Sequence, residues 1–248
     1  MFRRYLILLL LAHIVADFYI QTEKMSDKKD ESIRWVIIHS SYYFGIMLLI
    51  AVPVISYEIV SGAVIASAFH LLIDMIKFMC ISAINKKGKM SKIIERNLFF
   101  TDQILHFVSL IGVAYWQTKN NIRINEWKMI SEFFNIAGLS AFSFVSWSFM
   151  LLLIHKPSNI AIQKLLAIYK PISDKEEFNN AGRFIGTVER IIMLIFLSIE
   201  QYSAIGLVLT AKSVARYDKI SKEKDFAEYY LLGTLLSTVV VIVVSFVL

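Results

Sequence analysis

Three pairs, each of one histidine and one aspartate, stand four residues apart within apolar stretches of this sequence. The pairs are His13 with Asp17, His70 with Asp74, and Asp102 with His106. Residues at positions i and i+4 share one face of a helix, so each pair presents an imidazole and a carboxylate to the same point. Ionisable groups inside membrane-spanning helices are costly and by default mark function. The repeated pair therefore predicts a functional site.

Imidazole and carboxylate groups are common protein ligands for zinc, manganese and ferrous iron, and a helix bundle can supply them from facing helices. We predict a divalent metal held by ligands from this set: His13, Asp17, His39, His70, Asp74, Asp102 and His106. Each aspartate either ligates the metal, orients a neighbouring histidine or acts as a catalytic base, and the spacing does not distinguish these roles. The structural alternative is a set of hydrogen bonds between helices.

The composition indicates a membrane protein. Hydrophobic residues make up 57% of the 248 residues and charged residues 19%, and the mean hydropathy is +0.60; these values exclude an ordinary soluble domain. Few prolines and glycines interrupt the apolar stretches, which favours helices over barrel strands. The single cysteine, Cys80, excludes an intramolecular disulfide and a multi-cysteine zinc site. We therefore expect an all-α, polytopic transmembrane bundle.

Windows of about 20 residues predict about seven spans. They cover roughly residues 5–21, 35–56, 57–83, 98–117, 133–155, 184–211 and 229–248. Arg3 and Arg4 before an apolar run also fit a signal peptide, but His13 and Asp17 within that run favour a retained span. Residues 156–183, between spans five and six, are predicted to form an interfacial segment. Apolar and polar residues alternate at helical spacing over 159–170, which indicates an amphipathic helix. Ser173 and Glu176 then form a capping box for a new helix.

Alternation of the spans places every histidine toward one membrane face, which we call face B; face A carries the N-terminus. The first four spans, within residues 1–118, then form a metal-site half, and residues 119–248 form a distal half of the same membrane domain. His155 lies beside Lys156 and Pro157 and is interpreted as an interfacial histidine at a helix end. Loops at face B carry more lysines and arginines than those at face A, which indicates that face B is cytoplasmic.

The distal half contains a second group of charged residues within or beside apolar stretches. Its members are Glu189, Arg190, Glu200, Lys212, Arg216 and Glu228. Glu200 is expected near the middle of the sixth span, where a carboxylate is costly and has no evident structural role. Lys212 and Arg216 share a helix face and are interpreted as cations that reach the interface, with phosphate binding as the alternative.

Several runs in the two halves of the sequence form one ordered set of motifs. The proximal runs are LLLAHIVADF at 9–18 with Gln21, His39-Ser40, HLLID at 70–74 with Lys77, and DQILH at 102–106. The distal runs are GRFIGTVER at 182–190, AKSVAR at 211–216, AEYY at 227–230 and GTLLS at 233–237. In order and spacing, these runs resemble a family of bacterial integral-membrane proteins known as domain of unknown function 3307. The resemblance implies a multi-pass protein of the bacterial inner membrane but no reaction. A looser analogy links the pattern to membrane-embedded metal-dependent hydrolases.

The sequence thus favours a metal-dependent hydrolase of a lipid-like ester or amide, with Asp74, Asp17 and Asp102 as candidate catalytic groups. The main alternative is a transporter or channel that relays protons or moves a cation through the same pairs. A membrane scaffold with a structural metal is the third hypothesis. We expect membrane lipid as a partner and no nucleic acid, because the basic residues lack interleaved aromatic platforms.

Overall fold

The computed structural model describes residues 1–54, 56–88, 90–170 and 179–247, and every regular element within these ranges is a helix. The predicted all-α class is therefore confirmed. The chain divides into two compact units, Met1–Phe149 and Met150–Leu248. Each unit is described by itself below.

The first unit is built on four long helices. In chain order its elements are α1 (Phe2–Ile14), a π-helical turn (Val15–Ile20), α2 (Glu23–Glu31), α3 (Ile33–Ala51), a 3-10 turn (Val52–Val54), α4 (Tyr57–Lys87), α5 (Lys92–Lys119), α6 (Lys128–Ile136) and the beginning of α7 (Ala141–Leu166). Thr22, Ser56 and Ser91 cap α2, α4 and α5 by accepting a hydrogen bond from a backbone N–H three residues on.

The core of the first unit lies between α1, α3, α4 and α5. Small side chains let these helices approach closely, and larger apolar ones fill the remaining space. The core includes Tyr5, Leu9, Ala12, Tyr43, Met47, Ile59, Ala63, Ala66, Leu110 and Ala114. This packing fixes the relative rotation of the four helices, and with it the direction of the polar side chains they carry.

Within the described residues, the second unit contains the remainder of α7 and four further helices. They are α8 (Asn179–Ser198), α9 (Tyr202–Val214), α10 (Tyr217–Lys222) and α11 (Lys224–Ser245). Here α8 packs against α11 and α9, and α10 packs against α11.

Among the described residues, four helical segments are long and apolar enough to cross a membrane: Ile33–Val54, Tyr57–Lys86, Lys92–Lys119 and Lys224–Ser245. Two bent pairs raise the number to six if each pair is one span. Phe2–Ile20 meets Glu23–Glu31 at 92°, and Lys128–Ile136 meets Ala141–Leu166 at 85°. The multi-span helical class is confirmed, whereas the described helices supply between four and six candidate spans rather than seven.

The expected fifth span, residues 133–155, differs from the structure at both ends. The chain bends between Ile136 and Ala141, and α7 then continues through Pro157 to Leu166. Proline lacks the N–H that would bond to the Leu153 carbonyl, and the Ser158 hydroxyl donates to that carbonyl instead, at 2.7 Å. Residues 160–166 of the predicted interfacial helix are therefore the end of α7, and the capping box of Ser173 and Glu176 lies outside the described residues.

The expected sixth span, residues 184–211, is interrupted after Ser198. Glu200 adopts a left-handed conformation with φ of 59°. The N–H of Gln201 bonds to the Phe196 carbonyl at 2.8 Å, and the N–H of Glu200 bonds to Leu197 at 3.2 Å, the pattern that closes a helix C-terminus. Glu200 is therefore an exposed turn residue between α8 and α9, and its expected place in the middle of a span is wrong.

Candidate metal centre

All seven predicted ligands meet inside the first unit. The end of α1 supplies His13 and the π-helical turn Asp17; α3 supplies His39; α4 supplies His70 and Asp74; and α5 supplies Asp102 and His106. Six of these residues are buried, and the side chain of Asp17 is 9% exposed. The structure thus brings together every histidine and aspartate that the helical spacing singled out in this unit.

The π-helical turn determines the partners of Asp17. The Asp17 carboxylate lies 3.8 Å from His13 Nδ1, its neighbour along the helix. Its Oδ1 atom is closer to other helices, at 3.0 Å from His70 Nε2 and 3.3 Å from His39 Nε2. Single π turns within helices are frequent at functional sites. The wider π-helical turn therefore places the Asp17 carboxylate against α3 and α4.

The potential ligand atoms form three overlapping groups, and within each group the atoms lie within 4.8 Å of one another. The groups are Asp17 with His39 and His70; Asp74 with Asp102 and His106; and His13 with His70 and His106. In the second group His106 Nε2 lies 3.5 Å from Asp102 Oδ1 and 3.8 Å from Asp74 Oδ1. These are the separations of ligand atoms around a shared ion.

The chemistry of this donor set fits a divalent metal. Zinc–ligand bonds of about 2.0–2.1 Å place two ligands of a tetrahedral site about 3.3 Å apart. Buried polar atoms normally have hydrogen-bond partners. Five buried atoms of the cluster make no hydrogen bond within the described residues: His13 Nδ1, His39 Nε2, His70 Nδ1, Asp102 Oδ1 and His106 Nε2. Asp102 Oδ1 and His106 Nε2 lie 3.5 Å apart, and each of the other three atoms lies within 3.8 Å of an oxygen of Asp17 or Asp74. Buried atoms at this spacing are suited to bind an ion.

Two lysines each hold the Oδ2 oxygen of an aspartate in the cluster. Lys29 Nζ donates to Asp74 Oδ2 at 2.7 Å and to Gln21 Oε1 at 3.1 Å, while Lys77 Nζ donates to Asp102 Oδ2 at 3.1 Å. The Oδ1 oxygens of Asp74 and Asp102 remain turned toward His106. The lysines therefore orient the carboxylates for the cluster.

Sequence reasoning missed both lysines as parts of the site. The sequence marks Lys77 and Gln21 only as members of the motifs that resemble the family, and it marks Lys29 only as one of several basic residues in a loop at face B. Lys77 follows Asp74 by three residues, which is one helical turn, and this spacing was an available signal. No comparable signal marks Lys29, because its burial depends on how α2 packs against α3 and α4.

A stack of rings supports the centre from α3. The Tyr43 ring lies 3.6 Å from that of His70, measured between centroids, with 26° between their planes. His70 in turn stacks on His106 at 4.4 Å and 24°. Tyr43 is fully buried and follows His39 by four residues on α3, so helical spacing could have identified it. It fixes the rotation of the His70 ring.

The charged residues of the distal half lie in the second unit and have different partners. Lys212 Nζ donates to Glu189 Oε2 at 2.6 Å. Arg190 is buried and donates to the Ile154 carbonyl, to Ser237 Oγ and to Asn159 Oδ1. Glu200, Arg216 and Glu228 are exposed. The Arg216 guanidinium lies 6.0 Å from the centroid of the Tyr230 ring, and Glu228 Oε1 lies 4.0 Å from Lys224 Nζ. His155 is exposed on α7 of the same unit.

The fold and the buried cluster define a class of protein: an all-helical membrane protein with a histidine- and aspartate-rich polar centre. The family model described as "Protein of unknown function (DUF3307)" matches residues 5–134, and the chain belongs to this family. The matched segment contains all seven candidate ligands, Lys29 and Lys77; the distal motifs lie beyond it. No curated protein and no solved structure matches the chain.

Proposed function

We propose that this protein is a membrane-embedded, metal-dependent hydrolase that acts on an ester or amide bond of a lipid-like substrate. The observation that carries the proposal is the cluster of four imidazoles and three carboxylates in the first unit, five of whose buried atoms make no hydrogen bond within the described residues. A bound divalent ion would supply Lewis acidity and a water of lowered pKa. The ion is zinc, manganese or iron, the metals that accept mixed nitrogen and oxygen ligands.

The protein side chains then have separable roles. His13, His39, His70 and His106 supply neutral nitrogen ligands, and the three aspartates act as ligands or as the base that takes a proton from water. Lys29 and Lys77 keep two of these carboxylates in one orientation. Burial excludes bulk water from the cluster, which strengthens electrostatic interactions within it.

Exposed apolar residues support a lipid-like substrate. Phe69 and Leu72 flank His70 and Asp74 on α4 and are 45% and 53% exposed. Ile104 and Leu105 stand between Asp102 and His106 on α5 and are also exposed. The helices that carry the site therefore present an apolar outer surface at the level of the ligands. A substrate that reaches the site along this surface has apolar chains.

A transporter is the second candidate function, and the surroundings of the cluster favour the hydrolase over it. A transport pathway needs polar residues that continue across the bilayer. A small cavity in the first unit is lined mainly by apolar side chains, among them Leu9, Met47, Ala63 and Ala12, which precedes His13 in the sequence. Gln117 is the buried polar residue at this cavity. The described part of the first unit thus places an apolar layer beside the cluster.

Hydrolysis is tested on the purified, metal-loaded full chain in lipid nanodiscs, with a panel of fluorogenic acyl esters, amides and phosphoesters that carry an apolar chain. Asp74→Asn should abolish turnover, because it removes a ligand or the base. Asp218→Asn, an exposed aspartate of α10, is the control and should retain full turnover. Equal turnover by the parent and by Asp74→Asn would rule out the proposed role of the cluster.

A further inference from the structure

We propose that the cluster holds two metal ions side by side, with Asp74 as the carboxylate between them. This inference rests on the metal centre of the proposed function and adds its number of ions. Two of the three ligand groups share no residue. We call Asp17, His39 and His70 position 1, and Asp74, Asp102 and His106 position 2.

Position 1 joins three elements at one point. Asp17 Oδ1 comes from the π-helical turn, His39 Nε2 from α3 and His70 Nε2 from α4. The carboxylate oxygen lies 3.3 Å from His39 Nε2 and 3.0 Å from His70 Nε2, close to the spacing of ligands around one ion. His39 Nε2 is buried and makes no hydrogen bond within the described residues. This nitrogen is free to ligate.

Position 2 joins α4 and α5 and presents its own unpartnered atoms. Asp102 Oδ1 and His106 Nε2 are buried, make no hydrogen bond within the described residues and lie 3.5 Å apart. Asp74 Oδ1 completes the group at 3.8 Å from the same nitrogen. Lys77 and Gln103 donate to the other oxygen of Asp102, so only Oδ1 is left for an ion. Position 2 thus has ligands that position 1 does not use.

The two oxygens of Asp74 face different positions. Oδ1 is turned toward His106 of position 2, whereas Oδ2 lies 3.8 Å from His39 Nε2 of position 1. Oδ2 also accepts the hydrogen bond from Lys29, and a carboxylate oxygen has a second lone pair for an ion. A carboxylate with one oxygen toward each ion reduces the repulsion between the two cations.

The two positions are adjacent. His70 of position 1 stacks on His106 of position 2, with 4.4 Å between the ring centroids. Paired catalytic ions typically lie about 3.5–4 Å apart. His13 belongs to a third group that shares His70 with position 1 and His106 with position 2. His13 therefore adds a ligand to one of the two ions and does not create a third position. With both lysines charged, the filled cluster carries net positive charge and attracts an anionic group on a substrate.

The number of metal ions bound per chain tests the two-ion proposal. Purified full chain is loaded with Mn²⁺, freed of excess metal and measured by elemental analysis against amino-acid analysis. The expected result is two ions per chain, with an electron paramagnetic resonance signal of two coupled Mn²⁺ ions. His39→Ala and His106→Ala should each retain one ion with an uncoupled signal, and the control His155→Ala should retain the coupled pair. The midpoint of thermal unfolding checks that each variant is folded.

One ion per chain in the parent, with an uncoupled signal, would overturn the two-ion proposal and leave the proposed hydrolase standing. No bound metal in the parent would rule out both the two-ion proposal and the proposed metal-dependent hydrolase. Because the parent protein alone gives the ion count, the result does not depend on whether the variants fold.

Discussion

Lys29 on the short helix α2 donates a 2.7 Å hydrogen bond to Asp74 in the interior of α4. It is the buried residue of a helix whose sequence, EKMSDKKDE, is otherwise polar or charged apart from Met25. The chain bends by 92° between Ile20 and Glu23, which brings α2 across to α4. A lysine from a connecting segment thereby contacts the histidine and aspartate cluster.

Loss of the Lys29 ammonium should weaken metal binding. Lys29→Met keeps the length of the side chain but leaves Asp74 Oδ2 without its donor, and removal of a partner that orients a ligand typically costs about 10–100-fold in metal affinity. Competitive titration with a chelator of known affinity measures this change. Lys28→Met is the matched control, because Lys28 is exposed and lies over the Trp35 ring. Parent-like affinity in Lys29→Met would contradict an orienting role.

We expect the Tyr43 ring to contribute to stability and metal content through packing, and we expect its hydroxyl to contribute to neither. Tyr43→Phe retains the stack on His70 and should retain metal content. Tyr43→Ala removes a buried ring, which typically costs about 3–5 kcal/mol of stability, and should lower both the unfolding midpoint and the metal content. Thermal unfolding in nanodiscs, followed by elemental analysis, compares the two variants. A metal-free Tyr43→Phe protein would show that the hydroxyl has a role at the centre.

Glu200 separates the hydrolase from a transporter. Because Glu200 is an exposed turn residue between α8 and α9, Glu200→Gln should leave turnover and metal content unchanged. Asp74→Asn should abolish turnover. The two variants are compared at matched expression, in the turnover assay and in a vesicle assay of proton or cation uptake. A severe loss of uptake in Glu200→Gln, together with an absence of hydrolytic turnover in the parent protein, would favour the transporter.

The excess of basic residues at face B predicts a cytoplasmic position for the loop between α4 and α5. In a Cys80→Ser background, a cysteine at Lys86 should be protected from an impermeant thiol reagent in intact cells, and a cysteine at Asn120 should be labelled. Both positions are exposed, so protection reports the side of the membrane. The reverse labelling pattern would place the histidine and aspartate cluster near the outer face.

The convergence of the seven candidate ligands was predictable from two simple regularities. Spacing of four residues places His70 with Asp74, and Asp102 with His106, on one helix face, and alternation of spans sets their depth. The π-helical turn at Asp17 was not predictable in this way, since a widened turn leaves hydropathy unchanged. The burial of Lys29 was also hidden, because α2 has the composition of a solvated segment and only tertiary contacts bury this residue.

The helix breaks were missed for a related reason. Windows of hydropathy do not detect a break when both sides are apolar, as they are around Gly138 and Glu200. Gly138 has φ of 66°, a conformation that glycine adopts without steric cost, and it ends α6 before the 85° bend. The expected fifth and sixth spans joined helices across these two turns.

Metal analysis of the purified protein tests the central claim, a metal centre built from the histidine and aspartate cluster, most directly. Protein purified without chelators should contain stoichiometric or higher zinc, manganese or iron, and X-ray absorption should show nitrogen and oxygen ligands without sulfur; for zinc, these bonds are about 2.0–2.2 Å long. His70→Ala should lose most of this metal, and His155→Ala should retain it. A metal-free parent, with divalent-ion binding by His70→Ala equal to that of the parent, would contradict the claim.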